Sequence, residues 1–438
     1  MTREHEANNR KKIVKRPNWG LYLIVYVLFY PLLKVLFRLK VNRDDYHPPK
    51  GPFLVVSNHA SFMDFLIVML ALYPRRLNAV AAQKFFLYRP LDKLLPLMGV
   101  IPKNLFDPDI RAIKRIMKVI KQGGRILLFP EGRCSTDGVY SGIHKSAGKL
   151  VKNLGVPVIS CHIEGAYTCM PFWRKGIRLG RVRMTIADLF SQEDTGALSV
   201  DELNSAIDAR LSGLDAKPSP KQLRTFGARR LAEGLHNILY LCPGCGGEFT
   251  LETRGNTIRC TACGIAAEID RAAKITAEQS GTPPLIGRGR DLVLAGEPKT
   301  PRCLVPGSVH EWFTAQARHA SRLLSEDMAP IIEPVTVRTP AAAGGGMVRS
   351  GSGMLRLDPG GWHYDGELSG SRVNLFFPID TVPAIPFDPD NNFQIYAHGS
   401  FYMFTPEDAQ KCVKYAILGE CAYRRFAARP QMTGAQEP

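Results

Sequence analysis

The chain has 438 residues, a formal net charge of +17 at pH 7 and a hydrophobic content of 45%. This length corresponds to two or three domains, and the hydrophobic content excludes a wholly disordered chain. The basic charge indicates an anionic partner, either nucleic acid or a membrane surface.

The N-terminal 48 residues combine positive charge with the most apolar stretch of the sequence. Residues 1–50 hold eleven Lys or Arg against four acidic residues. Residues 19–33 are almost entirely apolar and include Pro31 and several aromatic residues of the kind found at lipid headgroups. This run of about 15 residues is shorter than the roughly 20 that span a bilayer, and no signal-peptide cleavage site follows it. We interpret residues 1–48 as a basic leader and a half-inserted or barely spanning membrane anchor; the alternative is a buried core helix.

Residues 49–200 alternate short apolar runs with helical patterns. Residues 53–56, 125–129 and 156–159 have the composition of buried strands, whereas residues 111–120 carry apolar side chains at helical spacing. Alternation of this kind predicts an α/β unit.

The segment 57–64, Ser-Asn-His-Ala-Ser-Phe-Met-Asp, directly follows the first of these strands. Reactive groups in α/β folds lie at strand ends. His59 titrates near neutrality and can take a proton from an alcohol, and Asp64 can fold back to orient the ring. The alternative is an incidental His within a capping turn.

The segment 129–136, Phe-Pro-Glu-Gly-Arg-Cys-Ser-Thr, follows a second buried strand. Its Pro and Gly predict a turn with outward backbone N–H groups. Arg133 offers a fork that matches phosphate, and Ser135 adds a hydroxyl donor. The pattern predicts an anion cradle; the alternative is an ordinary turn with a surface Arg.

Together, Asn-His-x4-Asp and Phe-Pro-Glu-Gly-x-x-Ser-Thr resemble, in order and separation, the motifs of the glycerolipid acyltransferase family. Its best-known members are the 1-acyl-glycerol-3-phosphate acyltransferases, and the resemblance covers about residues 20–190. It implies that His59 deprotonates an acceptor hydroxyl, which attacks the thioester of acyl-CoA or acyl-carrier protein, while Asp64 orients His59. It also implies that Glu131 and Gly132, with basic residues nearby, hold the acceptor's phosphate.

Two further family blocks match residues 99–103, Gly-Val-Ile-Pro-Lys, and residues 156–159. The family often places an Arg shortly after the Ile-Pro pair, where this chain has Lys103 followed by Asn-Leu. Lys103 supplies a cation, but as a point charge rather than a bidentate fork. Cys134 is interpreted as a bystander, because the implied mechanism is direct attack by the acceptor.

The resemblance therefore implies an O-acyltransferase that acts on the sn-2 hydroxyl of 1-acyl-glycerol-3-phosphate and gives phosphatidic acid in phospholipid biosynthesis. Its implied partners are membrane lipids, the acyl donor and lysophosphatidic acid, and the chemistry needs no cofactor. The expected location is the cytoplasmic face of the cytoplasmic membrane. One alternative is an acyltransferase for another lysophospholipid or glycolipid alcohol. Another is a catalytically dead zinc-ribbon scaffold or nucleic-acid-binding protein.

Residues 201–238 are expected to form a helical connector, and residues 239–270 carry two Cys-x-x-Cys pairs separated by fourteen residues. This spacing predicts a zinc ribbon with a closed, structural Zn²⁺ site, with paired redox thiols as the alternative. Few basic residues lie between the pairs, which argues against nucleic acid as a partner. The expected ligands are Cys242, Cys245, Cys260 and Cys263.

Residues 271–350 form a linker-rich region with much Gly, Pro, Ala and Arg, and part of it is expected to be loop or linker. Residues 351–428 show five short strand patterns separated by turns, which predict an antiparallel sheet or small barrel. Thr405 is the expected N-cap of a closing helix, with Pro406 in its first position. This region faintly resembles pleckstrin-homology-like domains, with a purely structural barrel as the alternative.

Overall fold

The computed structural model describes residues 16–43, 45–105, 109–174, 176–213, 227, 229–277, 305–324, 330–341, 346–397 and 399–428. The basic leader before residue 16 and the part of the linker-rich region at residues 278–304 lie outside these residues. Contacts divide the chain into two units, residues 1–228 with 344–346 and residues 229–343 with 347–438.

In the described part of the first unit, seven strands form a single sheet. They are β1 (Lys40–Asn42), β2 (Phe53–Ser57), β3 (Asn78–Ala82), β4 (Ile101–Lys103), β5 (Arg125–Leu128), β6 (Val158–Glu164) and β7 (Arg183–Phe190). Their order is β1-β7-β6-β2-β5-β3-β4, and only the β6–β7 pair is antiparallel. All five residues of β2 are buried, as expected for a central strand covered on both faces. The predicted α/β unit is confirmed.

The helices of this unit connect the strands and cover the sheet. They are α1 (Trp19–Leu36), α2 (Asp64–Ala71), α3 (Leu91–Leu97), α4 (Ile110–Lys121), α5 (Ser146–Leu154), α6 (Ala166–Cys169), α7 (Gln192–Ala197) and α8 (Val200–Leu211), with a 3₁₀ helix at Gln83–Leu87. In α4, Ala112, Ile116 and Val119 are buried while basic residues face outward, because apolar residues three or four apart share one helix face.

Helix α1 packs one face on the first unit and exposes the other. Its N-cap is Asn18, and Tyr22 and Leu33 are buried. The Tyr22 hydroxyl donates to the carbonyl of Met69 at 2.9 Å. Among the described residues, α1 is the one helix long and apolar enough to cross a membrane, by length and composition alone.

The segment expected to be a helical connector is divided between the two units. Helix α8 buries Leu203, Ile207 and Leu211 in the α/β core. Residues 229–238 belong to the second unit, where a 3₁₀ helix spans Leu235–Asn237.

The second unit begins with a small four-stranded antiparallel sheet. Its strands are β8 (Leu251–Arg254), β9 (Thr257–Cys260), β10 (Ala266–Ile269) and β11 (Ile275–Ala277), in the order β11-β10-β9-β8. Strands β8 and β9 form a hairpin, in which Arg254 pairs with Thr257 across the turn at Gly255.

Helix α9 (Val309–Leu323) lies within the linker-rich region 271–350, where the sequence pattern predicts no helix. Ser308 caps the helix by accepting from the N–H of Glu311. The Trp312 indole donates to the carbonyl of Leu241 at 2.9 Å, and Gln316, fully buried, bonds the backbone of the same preceding segment. These contacts bury the apolar face of α9. The Gly- and Pro-rich composition of the surrounding sequence concealed the helix.

The C-terminal sheet has seven antiparallel strands. They are β12 (Ile331–Pro340), β13 (Met347–Asp358), β14 (Gly361–Leu368), β15 (Ser371–Pro378), β16 (Phe387–Asp388), β17 (Asn392–Ala397) and β18 (Ser400–Pro406). The order β15-β14-β13-β12-β18-β17-β16 brings the first and last strands together. The predicted antiparallel strands are confirmed, and β12 adds one from the linker-rich region 271–350.

The closing helix, α10 (Cys412–Ala427), begins later than expected. Thr405 and Pro406 are not its cap and first residue, because both pair with β12 as part of β18. Asp408 caps the 3₁₀ turn that precedes α10, by accepting from the N–H of Gln410. Tyr415 of α10 then packs against the ring of Trp362 in the sheet.

Candidate active site

The two motif segments meet at one edge of the sheet. Strands β2 and β5 are parallel neighbours, with Val56 opposite Leu128. The segments 57–64 and 129–136 therefore leave the sheet side by side at its carboxyl edge. Strand β4 ends at the same edge, two strand spacings or about 10 Å from β5.

His59 and Asp64 form a hydrogen-bonded pair. The Nδ1 of His59 lies 3.1 Å from the Oδ2 of Asp64, whose side chain is fully buried. The same carboxylate oxygen accepts from the N–H of Ser61 at 2.7 Å, which fixes it at the start of α2. Nδ1 is thereby committed to Asp64, and Nε2 is the nitrogen that can exchange a proton with a substrate.

The backbone around His59 is held from both sides. Its N–H donates to Oε1 of Glu131 at 2.6 Å, and its carbonyl accepts from the N–H of Ser135 at 2.8 Å. The imidazole stacks on the ring of Phe129 with centroids 4.2 Å apart. Asn58 pairs its side-chain amide with both backbone groups of Ile163, on neighbouring β6.

Glu131 is placed to position the loop. One carboxylate oxygen accepts from the backbone of His59, and the other accepts from the N–H and hydroxyl of Ser141, each at 3.1 Å. The Glu131 side chain is buried, and both of its carboxylate oxygens already accept hydrogen bonds. When ionised it would repel a phosphate. It is therefore poorly suited to direct contact with a phosphate, contrary to the role that the family resemblance implied.

The other residues expected to bind the phosphate differ in which of their polar groups already form hydrogen bonds. Gly132 has a φ of 78°, a conformation that favours Gly, and Arg133 beside it is half-buried. The Ser135 hydroxyl is used inside the loop, where it donates to Val139 and accepts from the N–H of Gly138. Lys103 ends β4, and its ammonium donates to the carbonyl of Asn104.

Cys134, interpreted from sequence as a bystander, lies against the catalytic candidate. Its Sγ is 3.2 Å from Nε2 of His59 and 3.5 Å from Nδ1. Similar distances to both nitrogens place the sulfur over the imidazole rather than in line with Nε2. The thiol is partly exposed.

The pKa of His59 is raised well above its ordinary value. Burial alone lowers it by penalising the charged ring, but charge and hydrogen bonding from Cys134 and Asp64 outweigh that penalty. Burial raises the pKa of Asp64, and the contact with His59 opposes that rise. The raised pKa makes His59 a stronger base than free imidazole.

Sequence reasoning missed three supporting residues, Asn58, Phe129 and Ser141, as parts of the site. Asn58 and Phe129 lie inside the quoted motifs. Strand pairing brings Asn58 to Ile163 and Phe129 to the His59 ring. Ser141 lies ten residues beyond Glu131, and no local pattern marks it.

In the second unit, the four Cys side chains predicted to bind zinc lie together. Their Sγ atoms are all within 4.8 Å of one another. Two of the separations are 3.7 and 3.8 Å, and tetrahedral zinc with Zn–S bonds of about 2.3 Å requires about 3.8 Å. Backbone N–H groups of Gly244 and Gly247 donate to two of the sulfurs, as suits thiolates. The donor set and its spacing fit a closed structural zinc site.

A comparison with protein families places residues 38–164 in a family model described as Acyltransferase. The matched segment is thus similar to acyltransferases. The match spans both motif segments and extends from just before β1 to the end of β6.

Two relatives illustrate the similarity. The chloroplastic 1-acyl-sn-glycerol-3-phosphate acyltransferase BAT2 of Brassica napus is 32% identical over 138 residues, which are 31% of this chain and 40% of that protein. A 1-acyl-sn-glycerol-3-phosphate acyltransferase of Bacillus subtilis is 20% identical over 193 residues, covering 42% of this chain and 94% of that protein. The chain thus spans about two fifths of the length of the Brassica relative.

The crystal structure of the 1-acyl-sn-glycerophosphate (LPA) acyltransferase PlsC from Thermotoga maritima also matches. It is 19% identical and covers 45% of this chain and 81% of that chain, with a TM-score of 0.38.

Proposed function

We propose that this protein transfers a fatty acyl group from an acyl thioester, acyl-CoA or acyl-carrier protein, to the sn-2 hydroxyl of 1-acyl-glycerol-3-phosphate. The observation that carries the proposal is the His59–Asp64 pair at the carboxyl edge of the sheet, beside the loop 129–136. The names of the relatives support the acceptor, and the product is phosphatidic acid.

His59 acts as general base through Nε2. As the acceptor's oxygen forms its bond to the acyl carbon, Nε2 takes the hydroxyl proton, and the buried Asp64 stabilises the ring as it becomes positive. The bond between the acyl carbon and the donor's sulfur then breaks, and the proton passes from Nε2 to the departing thiolate. Base catalysis of this kind contributes about 10²–10⁴-fold in rate.

The acceptor's phosphate binds to the loop 129–136 near Gly132 and Arg133. Gly132 allows the backbone to approach the anion closely, and Arg133 and Lys103 supply positive charge. Glu131 and Ser135 act indirectly by fixing the loop, since their polar atoms already bond within it.

Helix α1 holds the enzyme at the cytoplasmic face of the membrane. Its exposed side carries Ile24, Leu28 and Val35, which are 56%, 63% and 75% exposed. Burying such side chains among lipid tails is favourable, and basic residues near the helix favour anionic headgroups. The acyl chains of the lipid substrates lie in the same membrane.

The second unit has a supporting role. The Cys cluster would hold structural zinc through Cys242, Cys245, Cys260 and Cys263. The order of the C-terminal strands and their closing helix are those a pleckstrin-homology-like barrel would need. We assign this unit to lipid or protein contact rather than to the chemistry.

The decisive experiment supplies purified enzyme with labelled acyl-CoA and 1-acyl-glycerol-3-phosphate and measures labelled phosphatidic acid. We expect transfer by the wild type and a loss of about 10²–10⁴-fold in His59→Ala. The matched control is His47→Ala, because His47 also pairs with an aspartate, Asp188, but at the surface. Absence of transfer by the wild type, or full activity of His59→Ala, would refute the proposal.

A panel of acceptors tests the choice of substrate. Other lysophospholipids and glycolipid precursor alcohols should be acylated more slowly than 1-acyl-glycerol-3-phosphate. If one of them were acylated faster, the proposed acyl-transfer reaction would stand, but that alcohol would replace 1-acyl-glycerol-3-phosphate as the proposed acceptor.

A further inference from the structure

A group of arginines lies at the amino edge of the first unit's sheet, opposite the edge that carries the catalytic pair. Arg125 begins β5, and the four residues of that strand place it about 13 Å from the carboxyl edge. Its guanidinium lies over the ring of Phe53, the first residue of β2, at 5.3 Å from the centroid. Four more arginines come from the segment before α1, the end of β1 and the loop between α2 and β3. We call the five the arginine cluster: Arg16, Arg43, Arg75, Arg76 and Arg125.

The positive charges of the arginine cluster act on one another. Burial lowers the pKa of Arg125, and the charge of Arg75 lowers it further. Arg16 and Arg76 act in the same direction, whereas Tyr46 opposes them. Like charges held close together in a partly buried place raise the free energy of the protein unless an anion offsets them.

The protein itself supplies little negative charge to the arginine cluster. Within the described residues, none of its members forms an ion pair with a carboxylate. Asp188, whose charge acts on Tyr46, is paired with His47. The Nε of Arg125 and the hydroxyl of Tyr46 are buried and have no hydrogen-bond partner among the described residues. Three members donate to backbone carbonyls: Arg43 to Ala71, Arg76 to Pro17 and Arg16 to Gln122.

The arginine cluster lies on the face of the sheet that α1 covers, beside the start of that helix. Side chains alternate between faces along a strand, so Arg125 is on the same face as Leu127, which packs in one core with α1. Arg76 bonds to Pro17, directly before α1, and Trp19 in the first turn is 59% exposed. Because Trp side chains favour the level of lipid headgroups, a membrane that receives α1 brings its phosphates beside the arginine cluster.

We propose that the arginine cluster binds the phosphate group of an anionic phospholipid, at a site separate from that of the acceptor. This inference rests on the membrane placement of α1 in the proposed function and adds a defined lipid site to it. Guanidinium groups donate in a fork that matches phosphate oxygens, and such charge-assisted bonds are stronger than neutral ones. A phosphate in this position offsets the repulsion within the arginine cluster and accepts a hydrogen bond from Nε of Arg125.

The test measures sedimentation of the full-length protein with phosphatidylcholine vesicles, with and without phosphatidylglycerol. We expect the wild type to bind at least about tenfold more tightly when phosphatidylglycerol is present. Arg75→Gln with Arg125→Gln should remove most of that gain and keep the binding to phosphatidylcholine alone, which α1 provides. The control, Lys114→Gln with Lys118→Gln, removes two exposed charges from α4 on the other face of the sheet and should retain the gain.

A charge-preserving variant distinguishes a defined site from diffuse attraction. Arg75→Lys with Arg125→Lys keeps the net charge but loses the planar fork, so it should also lose most of the gain. Wild-type binding by this variant, or equal binding of the wild type to both kinds of vesicle, would overturn the inference. If the vesicles bound equally and inorganic phosphate raised the unfolding temperature of the wild type but not of this variant, the ligand would be a soluble phosphate instead.

The vesicle assay is independent of the chemistry, because it measures no acyl transfer. A protein that shows the expected binding but transfers no acyl group would refute the proposed reaction and leave the lipid site intact. Failure of the wild type to bind either kind of vesicle would refute the membrane placement of α1, and this inference with it.

Discussion

At the scale of single residues, the chemistry depends on which state of His59 is populated. Contacts with Cys134 and Asp64 raise its pKa above the ordinary value, despite the opposing effect of burial. A base works only when unprotonated, so the rate should rise with pH and level off above the raised pKa. The acid limb of the pH–rate profile should therefore lie above the ordinary range of a histidine.

Asp64→Asn should change that profile in two ways. The maximal rate should fall by about 10²–10⁴-fold, because the ring loses its orienting carboxylate. The midpoint of the acid limb should also move to lower pH, since the substitution removes a negative partner that raises the pKa of His59. The measurement is kcat/KM for acyl transfer as a function of pH.

The matched control is Asp188→Asn, which breaks the exposed pair with His47 in the same unit. It should leave both the rate and the midpoint unchanged. An Asp64→Asn profile with the wild-type midpoint would contradict the assigned pairing.

The sequence predicted single residues well only where their chemistry is local. His59 and Asp64 are five positions apart at a strand end, and the structure joins them. The environments of Glu131, Ser135 and Cys134 depend instead on how two loops meet. Where the two loops pack together, the Glu131 carboxylate and the Ser135 hydroxyl form hydrogen bonds within the loops, and the Cys134 thiol lies against His59. Motif spacing predicts none of these contacts.

At the scale of elements, the strands and helices with clear apolar periods were predictable. The central strands β2 and β5 and the helix α4 confirm this. Composition disguised two elements: α9 lies in a Gly- and Pro-rich stretch, and Pro406 ends β18, a strand paired with both β12 and β17, rather than starting a helix. Proline fits both situations, so only the pairing with β12 decides between them.

Helix α1 carries a prediction at this scale. Replacing Leu28 and Val35 together by Ser should lower partitioning onto vesicles containing anionic lipid by roughly tenfold or more, at about 1 kcal/mol for each side chain. The packed face, with Tyr22 and Leu33, is untouched, so the fold should persist. Sedimentation of the protein with vesicles measures the effect.

A control pair, Val348→Ser with Met354→Ser, removes two apolar side chains of the second unit that are 47% and 45% exposed. It should leave partitioning unchanged. Equal vesicle binding by the α1 variant and the wild type would show that this face does not contact the membrane.

At the scale of the whole molecule, the chain joins two units with separate cores. The first is an α/β sheet whose central strands are buried on both faces, and it contains the residues that match the Acyltransferase family model. The second combines the Cys cluster, α9 and the C-terminal sheet. Its core includes a carboxylate, Glu333, which Lys411 and Tyr415 bind from the chain at the start of α10.

Zinc should stabilise the second unit selectively. Four thiolates held in short turns repel one another without a cation, and the free energy of zinc binding becomes folding free energy. We expect about one zinc per chain by elemental analysis. The double variant Cys242→Ser with Cys263→Ser should lose the metal and the thermal unfolding transition of the second unit, whereas the transition of the first unit should remain.

Cys421→Ala is the control, because it removes a buried thiol of the same unit from outside the cluster. It should retain zinc and shift the second transition by only a few degrees. If the double variant melted like the wild type, or if pure protein contained no zinc, the cluster would not be a structural metal site. Loss of the first transition together with the second would show that the two cores unfold as one, since independent units lose only the stability that their own metal supplies.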